Sequence, residues 1–251
     1  MGKIITVSSG KGGTGKTTTV AAVSSCLAAL KYKTLCIDFD VGLKNLDLSL
    51  GMADFAVADF VDVISGQLGI MDACYECPQV RKLFFLAAPM QNTPIEPDSP
   101  GLKAMFDSIR SEFDYCLIDA PSGVGNDFMA AHSSADMSLI VTTGEAPSIR
   151  DAQRAADLIR EMGISEIRLL VNRVLSKNFS KVQTTIDDVI NTVGAQLIGV
   201  VREDNSVFLS LHEGTPLVLY KKRHASYDFL DVARRITGER VPLRFRRGYV
   251  L

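Results

Sequence analysis

The sequence predicts an α/β fold, a doubly wound and mostly parallel sheet flanked by helices, and three observations predict it. Short apolar runs rich in Val, Ile and Leu alternate with stretches of helical spacing along the whole chain. The connections between them are short and carry no low-complexity linker or internal repeat. Glycine-rich and acidic motifs follow directly on the strand-like runs, at the carboxyl ends where such sheets bind ligands.

Taken in order, residues 3–8 (KIITVS) read as a buried strand, and TTTVAAVSSCLAALK from Thr17 onward reads as a helix. A strand at 33–40 (KTLCIDFD) leads through a loop to about residue 56 and the helix VADFVDVISGQ. The strand KLFFLAA at 82–88 precedes a Pro-rich loop and the helix GLKAMFDSIRSEF. YCLIDAP is a strand, followed by the loop and helix of SGVGNDFMAAHSSA. MSLIVTT and SIRDAQRAADLIREMG form the next strand and helix, then IRLLVNRV and SKVQTTIDDVINTVG. A last strand, QLIGVV, leads to helices at about 204–212 and 224–237. The expected organisation is one domain over 1–240 and a basic-apolar C-terminal tail over 241–251.

Composition fits this: 47% hydrophobic and 22% charged residues suffice for a substantial core, and a net charge of −2 argues against a general polyanion binder. No apolar run reaches membrane-spanning length and residues 1–8 lack a secretory pattern, so the expected location is cytoplasmic, with the five cysteines reduced. The charge is uneven. Residues 217–251 hold nine Lys/Arg against three acids, a net of +6 that leaves −8 on the rest. A basic end on an acidic body points to an anionic surface, membrane or nucleic acid, or else to solvated helix charges.

The chemistry is densest in SSGKGGTGKTT, residues 8–18. Gly10–Thr17 matches G-x-x-x-x-G-K-[ST] between a strand and a helix, the context a phosphate-binding loop requires, which makes the fold a P-loop NTPase. Gly10, Gly12, Gly13 and Gly15 allow a tight turn whose N–H groups converge on an anion, and the following helix N-terminus adds its dipole. Thr14 and Thr18 complete the loop; Lys16 is placed for the β- and γ-phosphates and Thr17 for Mg²⁺. Lys11 is a second lysine that a phosphate loop does not need.

Acids end the neighbouring strands. Asp38 and Asp40 close the second, and Asp119 closes YCLID in the arrangement that holds Mg²⁺ or its water. Gly123 or Gly125 is expected to offer an N–H to the γ-phosphate. In VNRV, Asn172 carries an amide able to donate and accept at once, as adenine requires, and Arg173 a guanidinium able to stack on the ring.

These stretches together resemble the deviant Walker A ATPases of the MinD/ParA family. GKGGTGKTT carries the family resemblance; IDFDVGLKNLDLSLG, LIDAPSG, SIRDAQR and VREDNSVFLSLHEGTPLVL look most like its septum-site-determining branch. The resemblance covers residues 2 to about 245. It implies an ATP- and Mg²⁺-dependent ATPase that dimerises on Mg-ATP and places the division site through an inhibitor and an activator protein. It also implies that Lys11 crosses the dimer interface to the partner subunit's phosphates, much as an arginine finger does. Asp40 would orient the attacking water, Asp38 would sit beside the metal shell, Gly123 would sense the γ-phosphate and Asn172 would read adenine.

Two departures stand out. Arg202 occupies the position before Glu203 and Asp204 where the family often has proline, and the chain given stops at ERVPLRFRRGYVL, about where a membrane-inserting helix often begins. Leu243, Phe245, Tyr249, Val250 and Leu251 with Arg244, Arg246 and Arg247 form a candidate interfacial anchor, which would add a peripheral location at the inner face of the membrane. The basic end also admits a partition ATPase binding non-specific DNA. Cys74 and Cys77, as C-Y-E-C, admit a metallocluster maturation ATPase, with ordinary packed cysteines as the plainer reading.

Overall fold

The computed structural model describes residues 1–41, 45–53, 57–90, 93–123, 125–175, 185–220 and 224–244. Among these residues eight strands form one sheet: β1 (Lys3–Ser8), β2 (Thr34–Asp38), β3 (Tyr75–Glu76), β4 (Leu83–Leu86), β5 (Tyr115–Asp119), β6 (Met137–Thr142), β7 (Ile167–Val174) and β8 (Gln196–Arg202). Their order is β3-β4-β2-β5-β1-β6-β7-β8. Every pairing is parallel except that of β3 with β4. The central strands are continuous apolar runs because helices cover both faces, leaving no solvent side for polar residues.

The helices are α1 (Lys16–Ala29), α2 (Leu46–Leu50), α3 (Phe60–Ile64), α4 (Ile70–Ala73), α5 (Pro100–Glu112), α6 (Asn126–His132), α7 (Ala146–Glu161), α8 (Ile186–Val193), α9 (Asn205–His212) and α10 (His224–Ile236). The expected main strands and helices all appear, mostly shorter than read. α2, α4 and β3 went unread, since two to five residues are too few to show a period. The first part of the expected helix before Gly194 lies outside the described residues.

One face of the sheet packs α1 and α10, the latter through Phe229, over Val7, Leu117 and Leu139. The other has two patches, one under α5 with Ile4, Phe39 and Phe106, the second under α7 and α8 with Ile140, Ile159 and Val189. Phe39 stacks on Phe60 at 4.4 Å and lies 6.5 Å from Phe106. Burying such a ring contributes about 2–3 kcal/mol, which anchors the Asp38–Asp40 segment by its middle residue.

Cys74 and Cys77 flank β3, and both are buried, Cys74 among the α5-side residues and Cys77 under α1. Three residues apart on an extended segment, they face opposite sides of the sheet. They therefore do not form a ligand pair, and burial pushes the Cys74 thiol to about 11. Among the described residues no group of three or more His, Cys, Asp or Glu side chains, these cysteines included, is arranged to hold a metal ion. No described helix is long and apolar enough to cross a membrane.

The C-terminal charge also differs from its sequence reading. Arg244 is not a free cation for an anionic surface: its guanidinium is paired with the buried Asp231 at 2.5 and 3.0 Å and lies over the Tyr227 ring. Arg235 donates to the carbonyls of Ile198, Val241 and Pro242, and Arg234 pairs with Glu239. Arg235 and Arg244 thus strap residues 241–244 onto α10. Phe245 to Leu251, and Lys221 to Arg223, lie outside the described residues.

Candidate functional site

The loop after β1 opens onto a cavity of about 610 Å³ lined by Gly12, Gly13, Gly15, Lys16, Thr17 and Thr18 on one side and by Asp40, Asp119 and Ser122 on the other. Gly12 and Gly13 face open space where a side chain would begin, so the loop's concave side is clear for an anion. Gly15 has φ +93°, and a Cβ there would come within 2.3 Å of the Asn172 amide nitrogen. Only glycine lets the loop turn this tightly against β7. At Gly10 a Cβ would lie 2.0 Å from the Asp151 carbonyl oxygen, so the loop begins pressed against α7.

Lys16 begins α1, and its side chain is buried at the mouth of the helix with no ion pair to another described residue. A buried ammonium without a carboxylate partner suits an incoming phosphate. Lys11 is exposed at the loop tip, also unpaired among the described residues, while the Ser9 hydroxyl donates to its carbonyl at 2.7 Å and holds the backbone.

Asp38 and Asp119 end adjacent parallel strands in register, which places two buried carboxylates side by side. Asp38 accepts N–H bonds from Asp40 (2.9 Å) and Leu46 (3.3 Å) and so closes the turn into α2. Burial, reinforced by the Asp119 charge, pushes Asp38 up to about 7. Burial likewise pushes Asp119 to about 6, held back by the Thr17 hydroxyl and the Lys16 charge.

The Thr17 hydroxyl donates to Asp119 Oδ2 at 2.5 Å, while Asp119 Oδ1 is buried with no partner. An orphaned carboxylate oxygen beside a hydroxyl and a second carboxylate is a hard, oxygen-only donor set of the kind Mg²⁺ takes. These residues fit that ion. Asp40 lines the same cavity from beyond Phe39, and Gly123, at φ +124°, follows Ser122 on its far wall.

A second cavity of about 330 Å³ shares Gly13, Gly15, Thr18 and Phe208 with the first and extends to Asn172, Arg173 and Glu203. Asn172 does more than the sequence suggested. Its amide nitrogen donates to the Thr14 carbonyl at 2.8 Å and its oxygen accepts from the Arg173 N–H at 2.9 Å. One N–H and one lone pair remain. Arg173 has φ +59° and its guanidinium is paired with Glu203 at 3.0 Å.

Arg202 shows why proline is dispensable at that position. Its own N–H donates to Asp228, and its guanidinium pairs with the same buried carboxylate at 2.7 Å, so β8 continues through it. Sequence reading missed Ser49, Ser122, Phe208, Leu211 and His212 as lining residues. Ser122 follows β5 directly, whereas Ser49, Phe208, Leu211 and His212 reach the cavity because α2 and α9 pack against each other.

Residues 5–217 match the CobQ/CobB/MinD/ParA nucleotide binding domain. The chain belongs to that family. That match makes it a nucleotide-binding protein of the MinD/ParA type. It is 36% identical to the septum site-determining protein MinD of Bacillus subtilis (strain 168), over 97% of this chain and 92% of that one. It is 35% identical to the MinD of Thermotoga maritima, over 97% and 91%.

Among solved structures of the family, MinD in the MinC:MinD cell division protein complex of Aquifex aeolicus superposes with a TM-score of 0.88 at 33% identity, covering 97% of this chain and 98% of that one. The MinD of Pyrococcus horikoshii complexed with Mg-ADP gives 0.81 at 27%, covering 94% and 96%. A ParA family ATPase from Chlorobium tepidum, at 21% identity and a TM-score of 0.79, shares the fold.

Proposed function

We propose that this protein is an ATP-driven switch for division-site placement that pairs with a second copy of itself on binding Mg-ATP. The observation that carries the reading is the division of labour between its two loop lysines. Lys16 is buried at the site and Lys11 exposed beyond it, unpaired among the described residues. Relatives over nearly the whole chain are septum site-determining proteins.

In this reading the loop N–H groups and Lys16 hold the triphosphate, and Asn172 braces the loop through Thr14 while its free N–H and lone pair meet the base. Thr17 and Asp119 would hold Mg²⁺, with Asp38 behind them, and the ion would neutralise charge on the β- and γ-phosphates. Asp40 orients the attacking water from the opposite wall. Lys11 of each subunit reaches the partner's phosphates, where a cation supplied in trans contributes about 10³ to 10⁵ in rate. ATP occupancy thereby sets the association state, and the paired surface recruits a division inhibitor and an activator. A MinC:MinD complex is known for the Aquifex relative. Membrane contact through residues 245–251 is part of the proposal, tested by vesicle sedimentation with and without ATP.

The deciding experiment is light scattering on a hydrolysis-deficient Asp40→Ala protein. It should be dimeric in saturating Mg-ATP and monomeric in ADP. A monomer in both removes the switch.

A further inference from the structure

His132 is buried at the end of α6, and nothing described so far uses it. Its Nδ1 lies 2.8 Å from the Phe128 carbonyl oxygen and its Nε2 lies 2.7 Å from Ser8 Oγ. A carbonyl only accepts, so Nδ1 carries the proton and Nε2 accepts from the serine hydroxyl. The ring stays neutral because burial depresses its pKa to about 4. The Phe128 ring, 4.1 Å away, packs against it.

Both ends of this bridge are informative. Ser8 is the last residue of β1, directly before the phosphate loop. α6 begins at Asn126, directly after the loop that follows Asp119 and contains Ser122 and Gly123. Two further bonds close the frame: the Thr6 hydroxyl donates to the Ala131 carbonyl at 3.0 Å, and the Ala120 N–H to the Val7 carbonyl at 3.1 Å. Ala120, just before Ser122 and Gly123, and the end of α6 after them are thus both tied to β1, the strand that feeds the opposite wall.

Polar side chains line part of the seam under α6, beside the apolar contacts of Phe128, Ala130 and Ala131. Thr6, Ser8 and Ser138 lie on the same sheet face, and Ser138 Oγ is buried without a partner. An apolar seam is non-directional, whereas a hydrogen-bonded one fixes position.

We propose that His132, acting through Ser8, is a positioning residue that sets Ser122 and Gly123 at the correct distance from the phosphate loop for a γ-phosphate. It rests on the nucleotide reading above and adds a residue-level means by which the site would tell ATP from ADP. ADP needs only the phosphate loop; ATP needs both walls in register.

The test is calorimetric binding of ADP and of a non-hydrolysable ATP analogue to wild type, Ser8→Ala, His132→Phe and the double variant. Ser8→Ala removes only a hydroxyl, so it keeps the test available if His132→Phe does not fold. Each single variant should weaken analogue binding about tenfold while ADP binding stays within twofold. The double variant should be no worse than the poorer single one, since both break one bond. Equal losses for ADP and analogue, no loss for either, or single effects that add would each overturn the proposal. Absence of ADP binding by the wild type would instead remove the nucleotide reading itself.

Discussion

The Thr17 hydroxyl lies 2.5 Å from Asp119, joining the first turn of α1 to the end of β5 and leaving the other Asp119 oxygen buried and unpaired. A buried carboxylate so placed is unfavourable until a cation arrives. The folded pKa of about 6 exceeds the ordinary 3.8, so the associated stability is full below about pH 3.8 and is lost as pH rises through about 6. Asp119→Asn should therefore raise the stability of the nucleotide- and metal-free protein by about 3 kcal/mol at pH 8. The advantage should vanish near pH 4, and the variant should lose Mg²⁺-dependent hydrolysis. Urea titrations in EDTA at the two pH values check this.

The two loop lysines should separate cleanly. Lys16→Ala removes the buried cation at the site and should weaken ADP and ATP together. Lys11→Ala should leave ADP binding near wild type and lower ATP turnover about 10³-fold, because in the proposed dimer its target lies on the other subunit. Calorimetry with a phosphate-release assay distinguishes the two patterns; equal loss of ADP affinity in both would place Lys11 in its own subunit's site.

His132 makes a pH prediction of opposite sign to that of Asp119. Its folded pKa of about 4 lies below the ordinary 6.5, so its contribution to stability is present above about pH 6.5 and is lost as pH falls toward 4. Relative to wild type, His132→Phe should remove about 3 kcal/mol of pH-dependent stability across that window. Denaturation midpoints at pH 7.5 and pH 4.5 for both proteins measure the difference, and parallel changes in the two would refute the burial argument.

Arg244→Ala should destabilise the fold by about 1–3 kcal/mol, the lower part of the range for breaking a buried pair because the arginine itself is half exposed. Asp231 would be left buried without its guanidinium. A variant as stable as wild type but weaker on anionic vesicles would restore the sequence reading of Arg244 as a lipid-facing cation.

The parallel sheet, the phosphate loop and the acid-ended strands were all legible because each depends on neighbours in sequence. Strand periodicity, the glycine spacing from 10 to 15 and an Asp after an apolar run are local signals. β3 and α2 escaped because a two-residue strand exists only through its pairing with β4, and a five-residue helix only through its packing.

By itself the sequence determined the fold class, the nucleotide loop and the acids gathered around it, since a glycine's backbone freedom and a strand's burial are properties of a residue and its near neighbours. The tertiary structure alone decided what those residues do to one another. It spent Arg244 on Asp231, turned Cys74 and Cys77 to opposite faces, gave the Asn172 amide to the phosphate loop and brought His132 against Ser8. Hydrogen bonds and ion pairs act over about 3 Å, and which partners come that close depends on how distant segments pack.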